Sequence, residues 1–145
     1  MPSFTFVPSP PLLAVDPGSV HCGLAFFVGE VCTDAVTVDP PTLFAVVRAA
    51  MPALIVCESF RLRVDVARSL AGDPLATVEA IGVLRYLADT AGVPFVLQSP
   101  TIKRPTRAMV RRRGIELIGD TEHARDAELH GWHWLLCGAP TRRND

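Results

Sequence analysis

The chain is 145 residues long, 49% hydrophobic and carries a formal net charge of −1, enough for one core of ordinary size and too short for two comfortable domains. No apolar stretch approaches the roughly 20 residues that span a bilayer, and the sequence starts with neither a basic segment nor a cleavable apolar block, so a membrane role is excluded and a cytoplasmic protein is expected. The charge is unevenly spread: residues 1–60 hold five acids and the single base Arg48, whereas "TIKRPTRAMVRRR", residues 101–113, holds six bases and no acid, a block suited to a polyanion.

Residues 12–16, 21–28 and 31–38 are apolar or alternating runs rich in Val, Phe and Thr, separated by Asp-Pro-Gly-Ser and by Gly29-Glu30. Connections this short make consecutive hairpins, so the three runs are expected to be antiparallel neighbours. After Pro40-Pro41, residues 42–50 read as a short helix that Met51-Pro52 closes. "ALIVCE", residues 53–58, is a wholly apolar run ending in an acid, the pattern of a strand covered on both faces. Residues 59–73 fit a loop and a ragged helix equally well. From Pro74 to Ala91, the residues Leu75, Val78, Ile81, Leu84 or Arg85, and Ala88 recur at helical spacing, with Pro at the start and Gly92 just past the end. "VPFVLQ", residues 93–98, predicts another buried strand, followed by the basic block as a loop and a helix. "TEHARDAELHGWHWLLC", residues 121–137, predicts a closing helix with Thr121 as its cap. The order is that of an α/β fold with a mixed five-stranded sheet, three strands antiparallel and then two parallel, flanked by helices. A single domain over residues 1–145 is expected, with 1–10 and 139–145 as flexible tails.

The residues that carry chemistry are acids. Asp16 ends the first predicted strand and Glu58 the fourth; if those strands lie parallel and adjacent, both carboxylates emerge at one sheet edge, where open α/β sheets place their ligands. On the last helix, His123, Asp126 and His130 follow at spacings of three and four and share one face. Carboxylates converging near a core persist only when protonated or neutralised, and a hard divalent cation with oxygen ligands does this. Two such ions about 4 Å apart would stabilise both the attacking water and the leaving oxygen of a phosphodiester, and the basic block then has a role as a phosphate cradle. The alternatives are bland: Asp16 before Pro-Gly as a turn acid, His123 as a satisfied helix-start polar group. Glu58 has no turn to make. His130 and His133 lack the spacing of a zinc protease. Trp132 and Trp134 fit packing better than base stacking. Cys22, Cys32, Cys57 and Cys137 have no metal or redox spacing and are expected to be buried thiols.

"LLAVDPGSVHCGLAFF", "ALIVCESF" and "HARDAELHGWHWL", in this order and at this spacing, resemble the RuvC-type Holliday-junction resolvases of the ribonuclease H-like superfamily, particularly the short phage-encoded forms. The resemblance runs from about residue 11 to 138. It implies a ribonuclease H-like fold and a structure-selective endonuclease that cuts branched DNA, four-way junctions above all, as a homodimer in a bacterial or phage-infected cytoplasm. It also implies two Mg2+ or Mn2+ ions per active site, held by Asp16, Glu58 and Asp126. His123 falls where family members carry an Asp or a His needed for cleavage, as a ligand or a proton handler. "QSPTIKR" resembles the stretch leading to a DNA-contacting lysine, here Lys103, and Arg104, Arg107, Arg111, Arg112 and Arg113 follow as further phosphate contacts. Competing functions are a pre-ribosomal-RNA-type nuclease of the same superfamily and a non-catalytic DNA-binding or scaffold module of the same fold. Glu58 stands against the first, whose fourth strand ends in a Gly-Leu-Pro-like stretch.

Overall fold

The Asp-Pro-Gly-Ser and Gly29-Glu30 connections fold the chain back twice, and the sheet grows from these two hairpins. In a computed structural model, which describes residues 11–60 and 73–138, the strands are β1 (Leu12–Asp16), β2 (Cys22–Val28), β3 (Val31–Val38), β4 (Leu54–Glu58) and β5 (Phe95–Gln98). The helices are α1 (Pro40–Ala50), α2 (Asp73–Ala91), α3 (Lys103–Arg112) and α4 (Glu122–Cys137), with a 3₁₀ turn over Pro100–Ile102. The sheet order is β3-β2-β1-β4-β5. β1 runs antiparallel to β2 and β2 to β3, while β1–β4 and β4–β5 are parallel, the expected mixed five-stranded arrangement. The expected tails, residues 1–10 and 139–145, and most of the ambiguous segment 59–73 lie outside the described residues.

Alternation along the strands sorts the core into two layers. Leu13 and Val15 of β1, Leu24 of β2 and Ile55 and Cys57 of β4 pack with Leu43, Val47, Leu84 and Leu87 of α1 and α2. Leu12 and Ala14, Ala25 and Phe27, and Val56 face the other way, against Val110 of α3 and Ala127, Leu129 and Trp132 of α4. Trp132 stands edge-on to Phe27 with ring centroids 5.3 Å apart, so it is a packing residue. Gly131 makes this approach possible, because a Cβ there would fall 2.1 Å from the Phe27 ring.

Four local expectations are corrected. α1 begins two residues early, at Pro40, because Asp39 caps it by accepting from Thr42 N at 2.9 Å and proline is tolerated in a first turn. β5 is not a buried strand: it lies at the sheet edge, and Leu97 is 41% exposed. In α2 the buried stripe is Ala80, Leu84, Leu87 and Ala88, whereas Leu75 and Val78 are 63% and 48% exposed. Periodicity identifies an apolar face but not the length of it that a neighbour covers. Cys22 and Cys57 are buried thiols, Cys32 is half-buried, and Cys137 is exposed at the last turn of α4.

α4 is seated by polar contacts as well as by its apolar face. Thr121 Oγ1 accepts from Ala124 N at 3.1 Å and meets the Thr37 hydroxyl of β3, tying the cap to the sheet. Glu128, fully buried, accepts from the backbone N–H groups of Ile118 and Gly119 in the loop before the helix, and Arg125 Nη1 donates to Gly119 O at 3.1 Å. Glu128→Leu, which leaves the buried Gly119 N–H and the partly buried Ile118 N–H unpaired, should cost about 1–4 kcal/mol and lower the urea midpoint, with Glu128→Gln, which keeps a carbonyl acceptor, losing distinctly less.

Candidate active site

The strand register determines where the acids go. Val15 pairs with Cys57 across β1 and β4, so Asp16 and Glu58, the next residue on each, leave the sheet side by side. Gln98 is opposite Glu58 on β5. Asp16, following Leu12 and Ala14, and Glu58, following Val56, project on the face covered by α3 and α4. Asp16, Glu58 and Gln98 are 6%, 9% and 8% exposed.

α4 then brings its own polar face down on this edge. His123 Nδ1 lies 3.1 Å from Asp16 Oδ2. Just under one turn further, Asp126 receives a hydrogen bond from Lys103 Nζ at 3.2 Å, and Arg107 Nη2 stands 3.7 Å from its other oxygen. His130, fully buried, donates from Nδ1 to Gln98 Oε1 at 2.8 Å and places Nε2 3.6 Å from Glu58 Oε1. This close seating requires Gly23, which pairs with Asp16 in β2: a Cβ there would sit 1.8 Å from the carbonyl oxygen of His123.

The structure therefore gathers Asp16, Glu58, His123 and Asp126, from three elements, at one sheet edge. It adds two buried residues behind Glu58: Gln98, which no motif marked, and His130, which the helical spacing placed on one face with His123 and Asp126 without giving it a role. Their signals were faint but present: Gln98 is the polar residue closing an apolar strand, as Asp16 and Glu58 are, and His130 falls four residues after Asp126 on the same helical face. Lys103 lies inside the cluster, its ammonium 2.9 Å from Glu58 Oε1. Arg104, Arg111, Arg112 and Arg113 are exposed on and after α3. Arg107 and Arg111 line a groove of about 430 Å³ with Arg125 of α4 and Glu116.

Charge is distributed unequally between the two strand-end acids. Burial, the hydrogen bond to Glu58 and the charges of Glu58 and Asp126 push the Asp16 carboxyl up to about 9, against a smaller pull from Lys103. Burial would raise Glu58 as well, but its close polar contacts with His130, Asp16 and Lys103 outweigh it and hold Glu58 well below the ordinary carboxylate range. Asp16 thus carries the proton and Glu58 the charge. Lys103 is held above its ordinary value, since Glu58 and Asp126 overcome the effect of its burial.

Three carboxylates and an imidazole suit a hard divalent cation, and Glu58 Oε1 is a buried oxygen with no aligned hydrogen bond. Among the described residues no three His, Cys, Asp or Glu side chains close on a common point as they stand; the Lys103 ammonium bridges two of the carboxylates instead. The donor chemistry fits a cation, and the space is held by a charge of the same sign.

This site is carried on the ribonuclease H-like fold of the RuvC-type resolvases. RuvC of Thermus thermophilus in complex with Holliday junction substrate is similar at a TM-score of 0.63 and 18% identity, over 89% of this chain and 98% of that one. A further structure of Thermus thermophilus RuvC gives 0.62 at the same 18% identity, over 89% and 98% of the two chains. The yeast mitochondrial Holliday junction resolvase Ydc2 gives 0.55 at 15% identity, over 91% of this chain and 80% of that one. No protein-family model and no curated protein matches the sequence. Among the described residues no helix is long and apolar enough to cross a membrane.

A carboxyl that is protonated in the folded chain up to about pH 9 and ionises near 3.8 when unfolded stabilises the fold fully below the lower value and loses that contribution as pH rises through the higher one. In the presence of a chelator, the melting temperature should therefore fall steadily between pH 5 and pH 9. Asp16→Asn should flatten the fall and exceed the wild type at pH 9; an unchanged slope in that variant would assign the titration to another group.

Proposed function

We propose that the chain is a metal-dependent endonuclease that hydrolyses phosphodiester bonds in branched DNA, four-way junctions above all, and that it works as a homodimer. The observation that carries this reading is the convergence of Asp16, Glu58, His123 and Asp126 at the strand ends beside a basic helix, on a fold shared with proteins that resolve Holliday junctions. Asp16, Glu58, Asp126 and His123 would hold the cations, Mg2+ or Mn2+, two per site, and these when bound would supply charge neutralisation at the phosphate and an acidified water.

The remaining work belongs to side chains. His123 has Nδ1 engaged by Asp16 while its side chain is 48% exposed, so its outer edge is open to a ligand or a proton. Gln98 and His130 stand behind Glu58 in the buried layer. Arg104, Arg107, Arg111, Arg112 and Arg113 would hold backbone phosphates, for which the planar guanidinium fork is well shaped. Such contacts recognise shape and charge, and carry no base sequence.

Cleavage of labelled four-way, flap and linear duplex DNA with Mg2+, Mn2+ or chelator tests the reading. Asp16→Asn should reduce cutting by about a thousandfold or more while junction binding persists. Junction binding without cutting under any metal would favour the scaffold module. A second measurement addresses the basic helix: log affinity for DNA should fall linearly with log salt, and each of Arg104→Ala and Arg111→Ala should reduce the slope by about one.

A further inference from the structure

Lys103 is the only lysine in a chain with fourteen basic residues. All the others are arginines, so the one ammonium falls where the carboxylates meet. Its position is set by the backbone: β5 ends beside Glu58, Ser99 caps the 3₁₀ turn that follows, and Lys103 opens α3 at the same edge. A cation in a helix's first turn opposes the helix dipole, and no acid in the first turn of α3 offsets it. The compensation comes from outside the helix, from Glu58 Oε1 at 2.9 Å and Asp126 Oδ2 at 3.2 Å.

The ammonium is an imperfect occupant. It forms an aligned hydrogen bond with Asp126, but its approach to Glu58 is an ion-pair contact that leaves Oε1 buried without a hydrogen bond. It brings one positive charge to an edge shared by three acids. An ammonium is also a compact charge on a flexible four-carbon stem, whereas a guanidinium is a rigid fork; it can leave without disturbing the helix that carries it. The Lys103 side chain is 28% exposed, so a way out to solvent exists.

We propose that Lys103 is the resident cation of the metal-free site: it holds Glu58 and Asp126 together until a divalent cation displaces it, and the released ammonium then turns to a phosphate of the bound strand. Metal and lysine compete for the same oxygens, so each weakens the other's hold. Metal and phosphate, by contrast, reinforce each other, because the cation frees the side chain that the phosphate needs. The displacement stands on the cluster's geometry alone; the hand-over to phosphate rests on the nuclease reading above.

The test uses the full chain and metal alone, without DNA. With lysine labelled at Nζ by 15N, a single side-chain signal reports Lys103. It should be ordered and slow to exchange in chelator, and should become that of a solvated ammonium as Mg2+ is added. In parallel, Mn2+ binding followed by calorimetry should be about 5–150-fold tighter in Lys103→Met, with Lys103→Arg, whose rigid fork is harder to displace, binding no more tightly than wild type. The melting temperature of Lys103→Met in chelator should be below wild type and its rise on adding Mn2+ larger. An Nζ signal unmoved at saturating Mg2+, an Mn2+ affinity unchanged or weakened in a folded Lys103→Met, or no divalent binding by either protein would each overturn the proposal. The labelled wild type decides the matter should Lys103→Met fail to fold. Displacement of Lys103 without any DNA cutting would leave this proposal standing and remove the nuclease.

Discussion

Asp16 and Glu58 leave adjacent parallel strands on one face and are 6% and 9% exposed, so two ionised carboxylates would repel each other while losing their hydration. The arrangement is tolerable only if positive charge or a proton is supplied on the spot. Lys103 bridges Glu58 to Asp126, and burial beside Glu58 pushes the Asp16 carboxyl up, toward its protonated form. Sheet and helices could pack equally well around two apolar residues at these positions. The acids are therefore a cost that packing does not explain, and a binding function does.

The backbone is built to keep the acids close to α4. Gly23 of β2 faces this helix at the sheet edge, where a Cβ would collide with the backbone at His123, and Gly131 of the helix itself faces β2 deep in the layer, where a Cβ would collide with Phe27. Thr121 closes the helix start onto β3, and Glu128 fixes the loop that leads into it. Each contact removes a freedom: the glycines set the depth of the helix, and the cap and Glu128 set where it begins. His123 and Asp126 inherit that placement, because both lie within the first turn and a half.

The elements were largely legible in the sequence because short turns and apolar runs are local signals. The parallel pairing of β1 and β4 entered the sequence reading only as a condition, under which the acid closing each of the two strands would reach a common edge, and the register meets that condition. What escaped were facts about coverage and partnership. Leu75 and Val78 sit at core spacing on α2 but beyond the part that is covered, and β5 reads as buried although it is an edge strand. Gln98 takes its role from His130, 32 positions away, His130 from Gln98 and from Glu58, 32 and 72 positions away, and Lys103 from Asp126, 23 positions away. No local pattern carries such a pairing.

The acidic edge and the basic helix also constrain each other. On the proposed reading, a polyanion drawn to the arginines of α3 would meet carboxylates at short range that Lys103 only partly offsets, and the divalent cation that would complete the compensation is itself opposed by Lys103. With Lys103 alone between Glu58 and Asp126, the acids would weaken at contact the hold on a strand that the arginines draw in from a distance; with a divalent cation in place, both ranges would carry the same sign. On the proposed reading, electrostatics of this kind would make approach and chemistry depend on one event, the loading of the cation. A single flexible ammonium among rigid guanidinium groups is the smallest structural element able to provide it.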